Sequence, residues 1–120
     1  MFKEKISRFQ ELKATFKEAG LNPFQGGSEN PRPKCAIFNE IGQLALQGDL
    51  NALRFLIKNI FNDDHFIRYA VVGFLGDMPT KHFKKAGVDA EQLLSLIISS
   101  EKNNRILNFA QKSLHKIREK

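Results

Sequence analysis

Apolar side chains recur along most of this chain at alternating steps of three and four, the spacing that gathers them on one face of an α-helix. Phe2, Ile6, Phe9, Leu12, Phe16 and Ala19 keep that rhythm, with Lys, Glu, Arg and Gln between them. They predict an amphipathic helix over 1–20, closed by Gly20. Residues 21–33 concentrate Pro, Gly, Asn and Ser, which break helices and favour turns or extended backbone, so a linker is expected there. The helical spacing returns from Lys34 with Ile37, Ile41, Leu44 and Ala45, and Gly48 ends it.

Asp49 is placed to cap a third helix carrying Leu50, Leu53, Leu56, Ile57, Ile60 and Phe61. Asn62, Asp63 and Asp64 then break the pattern and offer carboxylates to the orphan N–H groups of the next helix. That helix is expected to bury Phe66, Ile67, Ala70, Val71, Phe74, Leu75 and Met78 before Pro79 stops it. Residues 80–87 read as a basic connector with room for one helical turn. Asp89 and Gln92 make a capping-box-like pair ahead of Leu93, Leu94, Leu96, Ile97 and Ile98. So continuous an apolar run predicts a helix covered on several sides; a short buried strand fits the same periodicity, and the flanking helices favour helix. A last helix over 103–118 turns Ile106, Phe109, Ala110, Ser113, Leu114 and Ile117 inward.

The chain repeats itself. A shift of 39 lays Ile67 on Ile106, Val71 on Ala110, Leu75 on Leu114 and Met78 on Ile117, and a shift of 40 lays Leu53, Leu56 and Ile57 on Leu93, Leu96 and Ile97. Two helical hairpins of about forty residues are the expected unit. Within the first, Asp64, Ile67, Arg68, Ala70, Leu75 and Gly76 follow one another as an acidic turn, an aliphatic-Arg pair, a small residue and a closing Leu-Gly. This order resembles the second helix of a HEAT repeat, and the resemblance covers residues 49–118. It implies an all-α, right-handed stack of five or six helices in HEAT-like α-hairpins, an α-α superhelix with a continuous core between repeats. The second unit departs from the pattern: Leu107 stands in place of Arg68, Phe109 in place of Ala70 and His115 in place of Gly76. Asn62 sits where many HEAT repeats carry an aspartate of an Asp/Arg ladder, which puts such a ladder in doubt. Leu75 is expected in the core, and Arg68 and Tyr69 facing solvent or a partner.

With 120 residues, 42% of them hydrophobic, the chain is the size of one domain with a core of its own, read here as a single helical domain over 1–120. The lone Cys35 suits a reducing compartment, and with no apolar stretch long enough for a signal peptide or a membrane span the expectation is a cytoplasmic protein. Charge changes the picture more than composition does. The net +6 is unevenly spread, at +3 over 1–34, −2 over 35–77 and +5 over 78–120, and it favours an acidic partner.

Little in the sequence carries catalytic chemistry. His65, His82 and His115 are far apart and lack acidic companions at ligand spacing, so neither a metal nor another cofactor is expected. Cys35 is expected as a small buried thiol, Asp63 and Asp64 as helix caps, and Gly26-Gly27 as a turn rather than a phosphate loop. The candidate binding surface is basic: Lys81, His82, Lys84 and Lys85 around Phe83, together with Arg105, Lys112, Lys116 and Arg118 on the last helix. The resemblance implies a non-enzymatic module, an adaptor or small inhibitor, that recognises another protein with an acidic surface. The alternative is a nucleic-acid binder using 81–85 and 105–118.

Overall fold

A computed structural model describes residues 7–21 and 33–120. Phe2, Ile6 and nearly all of the expected linker therefore lie outside the described residues. Within them the chain forms seven helices and no strand: α1 (Arg8–Leu21), α2 (Pro33–Leu46), α3 (Leu50–Lys58), α4 (His65–Asp77), α5 (Thr80–Ala86), α6 (Ala90–Ser100) and α7 (Asn104–Glu119). The apolar run 93–98 is thus helical. The seventh helix is α5, where only a turn was expected. It begins after Pro79 in extended conformation, turns Phe83 and His82 into the interior, and ends on Gly87 at a left-handed φ of 70°. Gly20 does not stop α1, which runs on to Leu21.

Local chemistry repeats with the sequence offset. The Asp49 side chain accepts the N–H of Ala52, three residues on, and Asp89 does the same for Gln92. Asp64 accepts from Phe66, two residues on, and Asn103 from Arg105. Each such cap is worth about 1 kcal/mol. The two left-handed glycines, Gly48 (φ 109°) and Gly87, share one geometry: each glycine N–H bonds the carbonyl three residues back, and the following N–H bonds the carbonyl five back. This double closure needs a positive φ, which glycine adopts without strain.

Packing is built around α2, α4 and α7. α4 lies against α7 on one side and α2 on the other, while α1 and α3 pack on α2 and α6 packs on α7. The molecule measures 45 × 41 × 18 Å, a thickness of two helix layers. α3 leans on α2 and α5 more than on its chain neighbour α4, so the first expected hairpin is opened by α2, which touches both of its helices. Tyr69 and Gly73 meet Phe109, Gly76 meets Ser113 and Asp77 meets Lys116, an order that makes α4 and α7 parallel. At the other end Phe9 and Phe16 of α1 meet Phe55 of α3 edge-on, and Phe38 of α2 completes the cluster.

The core is continuous from Phe9 to Ala110. Ile67, Ile106, Val71, Ala110 and Leu75 are buried, whereas Leu114 and Ile117 are only half-buried. α6 is covered on one side alone: Leu94 and Ile97 are buried, but Leu96 is 48% exposed, because α7 packs against a single face of it. Phe61 and Phe66 are likewise exposed rather than buried, since α3 ends at Lys58 and Phe66 sits in the first turn of α4. Cys35 is half-buried.

Two substitutions check this packing by urea denaturation. Leu75→Ala should cost about 2–5 kcal/mol as a truncation in a filled core. A Cβ at Gly76 would lie 2.8 Å from the Ser113 Cβ and 3.2 Å from its Cα, so Gly76→Ala should cost about 1–3 kcal/mol by forcing α4 and α7 apart.

Candidate binding groove

Because α4 and α7 are parallel and offset by 39 positions, corresponding residues stand side by side. On α4 one stripe runs Phe66, Tyr69, Gly73; on α7 the same stripe runs Arg105, Asn108, Lys112. Between them lies an open groove of about 940 Å³, lined from α4 by His65, Phe66 and Tyr69 and from α7 by Phe109, Ile106 and Asn108 with two cations, Arg105 and Lys112. Phe66 is 44% and Tyr69 46% exposed, uncommon for rings of that size on rigid helices. Tyr69 leans on Phe109 at 4.6 Å between centroids, and His65 leans on Phe66 at 4.2 Å. Phe109 is seated by Gly73, whose missing side chain leaves its ring the space it occupies; a Cβ there would come within 3.1 Å.

Among the described residues no carboxylate lines the groove. Its two cations, Arg105 and Lys112, form no ion pair with any described residue, unlike the cations further along α7. Lys116 holds Asp77 at 2.9 Å, Arg118 lies 3.5 Å from Glu91, and Lys120 donates to the carbonyls of Gly76 and Met78 at the end of α4. The positive charge of the helix is therefore compensated outside the groove and uncompensated inside it.

A clamp joins the turns that start α4 and α7. Arg68 donates from Nε to Oε1 of Glu101 at 2.8 Å and from Nη2 to Oε2 at 3.2 Å, while its Nη1 donates to the Asn62 carbonyl at 2.8 Å. Glu101 also accepts the N–H groups of Lys102 and Asn103. Arg68 consequently belongs to the framework rather than to a free surface, a correction to the sequence expectation. Its carboxylate partner stands 39 residues after Asn62, at the corresponding turn of the second unit. Burial alone would raise the Glu101 pKa, but the Arg68 hydrogen bond and the two backbone donors outweigh it and hold it below the ordinary carboxylate value.

The nine basic-surface residues do not form one site. Lys81, Lys84 and Lys85 are exposed on α5, which packs on α3 and has no place in the groove. His82 and Phe83 are buried, 6% and 2% exposed, because they form the inward face of α5; neither can contact a partner. Only Arg105 and Lys112 reach the groove, while Lys116 and Arg118 are engaged elsewhere. Sequence reasoning missed the rings that line the groove. The signal was available in the offset of 39, which matches the stripe Phe66, Tyr69, Gly73 to the stripe Arg105, Asn108, Lys112, but it has meaning only once the two helices are known to be parallel. Of the repeat-signature residues, Ile67, Leu75 and Gly76 are buried, Ala70 is half-buried and Asp64 caps α4.

Among the described residues no group of three or more His, Cys, Asp or Glu converges as metal ligands would, and no helix is long and apolar enough to cross a membrane. No family model, curated protein or solved structure matches the chain.

Glu101→Gln should lower stability by about 2 kcal/mol at neutral pH, because it leaves Arg68 half-buried without its charge partner. Since the folded-state pKa is depressed, this contribution is complete above the unfolded carboxylate value and is lost as pH falls through the folded one. Wild type and variant should converge only in denaturation curves taken on the acid side of the depressed folded-state pKa.

Proposed function

We propose that the chain is a non-enzymatic protein-recognition module, a HEAT-like right-handed stack in which α3–α4, with α2 packed on both of its helices, and α6–α7 are successive repeats and the α4/α7 groove is the binding surface. The architecture is supported by repeated cap geometry at offsets of 39 and 40, by the burial of Ile67 and Ile106, and by the Arg68–Glu101 pair linking one repeat to the next. Such a pair does the work of the ladder that Asn62 put in doubt, with the acid supplied by the following repeat. A cytoplasmic setting suits the single cysteine.

The observation that carries the functional reading is the pair of exposed rings, Phe66 and Tyr69, that share one groove with Arg105 and Lys112. Aromatic anchors ringed by polar groups are the usual source of binding energy in protein interfaces. The open groove of about 940 Å³ gives such anchors a concave surface to engage. The nucleic-acid reading draws on the same rings and on Arg105 and Lys112, but the exposed lysines of α5 lie outside the groove and add nothing to it.

Affinity capture from native extract with wild-type chain, followed by titration of the captured protein, tests the reading. Phe66→Ala with Tyr69→Ala should weaken binding roughly ten- to a hundredfold. Lys81→Glu, Lys84→Glu and Lys85→Glu together should leave it unchanged. Random-sequence RNA and DNA titrated in parallel should bind weakly; tight binding with a steep loss on adding salt would move the function to nucleic acid.

A further inference from the structure

Resting on that reading, we infer that the occupant of the α4/α7 groove is an acidic amphipathic helix of a partner protein, laid along the groove with carboxylates on the α7 side and apolar residues on the α4 side. Charge selects the acidic side. Among the described residues Arg105 and Lys112 have no acidic partner and no carboxylate lines the groove, so a partner that brings two negative charges meets no repulsion from them.

Spacing selects the helix. Arg105 and Lys112 are seven residues apart in α7, two turns on one face with a rise of roughly 10 Å. A helix lying alongside matches that rise with carboxylates seven apart on one of its own faces, while its neighbouring apolar stripe meets Phe66 and Tyr69, themselves three apart on α4. An extended segment covers the same distance in about three residues, and an odd step in a strand turns the second carboxylate to the opposite face. A nucleic acid strand would find only two uncompensated cations, too few for strong counterion release.

The test pans a displayed library of random peptides of about sixteen residues, roughly 24 Å of helix, against the full chain. Selected peptides are then synthesised and titrated by fluorescence anisotropy. Enriched sequences should carry carboxylates seven apart beside an apolar i, i+3, i+7 stripe, and they should gain helical circular dichroism on binding. Arg105→Glu with Lys112→Glu should weaken them about tenfold, the scale expected for reversing two partly exposed charge pairs. Replacing the two peptide carboxylates by lysine should restore binding to that variant alone. Both substituted positions are exposed, so thermal melts should be unaffected.

Selected peptides that depend on Tyr69 but lack the acidic pair, bind without becoming helical, or ignore the charge reversal would overturn the inference while leaving the groove as a protein-recognition site. Peptides indifferent to Tyr69→Ala, no enrichment at all, or binding confined to an oligouridine probe would overturn the inference and the underlying reading together.

Discussion

Two parallel helices can approach closely only where side chains at their contact are small, and α4 meets α7 under that constraint. Gly76 leaves so little room that the Ser113 side chain fills it, and the buried Ser113 hydroxyl donates to the Val72 carbonyl at 3.1 Å, satisfying itself without a water. One turn earlier, Gly73 accepts the Phe109 ring. On the other side of the layer the Phe74 ring occupies the place of a side chain at Gly42, so α2 is drawn onto α4 by the same device. The depth of the groove, the tilt of Tyr69 against Phe109 and the side-by-side placement of residues 39 apart all follow from this close contact.

The Arg68–Glu101 clamp fixes what close packing alone leaves free, the sliding of one helix along the other. Its guanidinium holds a carboxylate that is itself held by two backbone N–H groups at the start of α7, so the first turns of α4 and α7 are registered to one another. At the opposite end Lys116 and Lys120 of α7 reach the last turn of α4. The cations of the last helix and its cap thus divide by position: those toward the C-terminus tie the frame together, and Arg105 and Lys112 form no ion pair with a described residue.

The aromatic cluster of α1, α2 and α3 has a different role. Phe9, Phe16, Phe38 and Phe55 close the N-terminal end of the core around one another, and α1 is attached by them and by the exposed Arg8–Glu40 pair at 3.0 Å, which contributes little by itself. Phenylalanine thus serves two purposes in one chain. Rings enclosed by three helices supply apolar burial, whereas Phe66, on the rim of α4, is 44% exposed.

Periodicity determined the helical class, the start of each helix from α3 onward except α5, and the inward face of α4, because helix caps and apolar spacing act between residues a few positions apart. The offset of about forty was also legible, and the caps at Asp49 and Asp89 and at Asp64 and Asn103 share their geometry at that spacing. Other features depend on which elements meet, and no local rule contains that. Phe66 and Phe61 were assigned inward by their spacing, yet they are 44% and 56% exposed, and Leu96 is 48% exposed; His82 and Phe83 turn inward because α5 folds onto α3. Lys116 and Arg118 carry the same charge as Arg105 and Lys112, and only their distances to Asp77 and Glu91 distinguish engaged cations from free ones. Residue type and spacing set what each segment becomes, whereas the parallel docking of α4 on α7 alone decides which aromatic stripe faces which cationic stripe, since that pairing joins residues about forty positions apart.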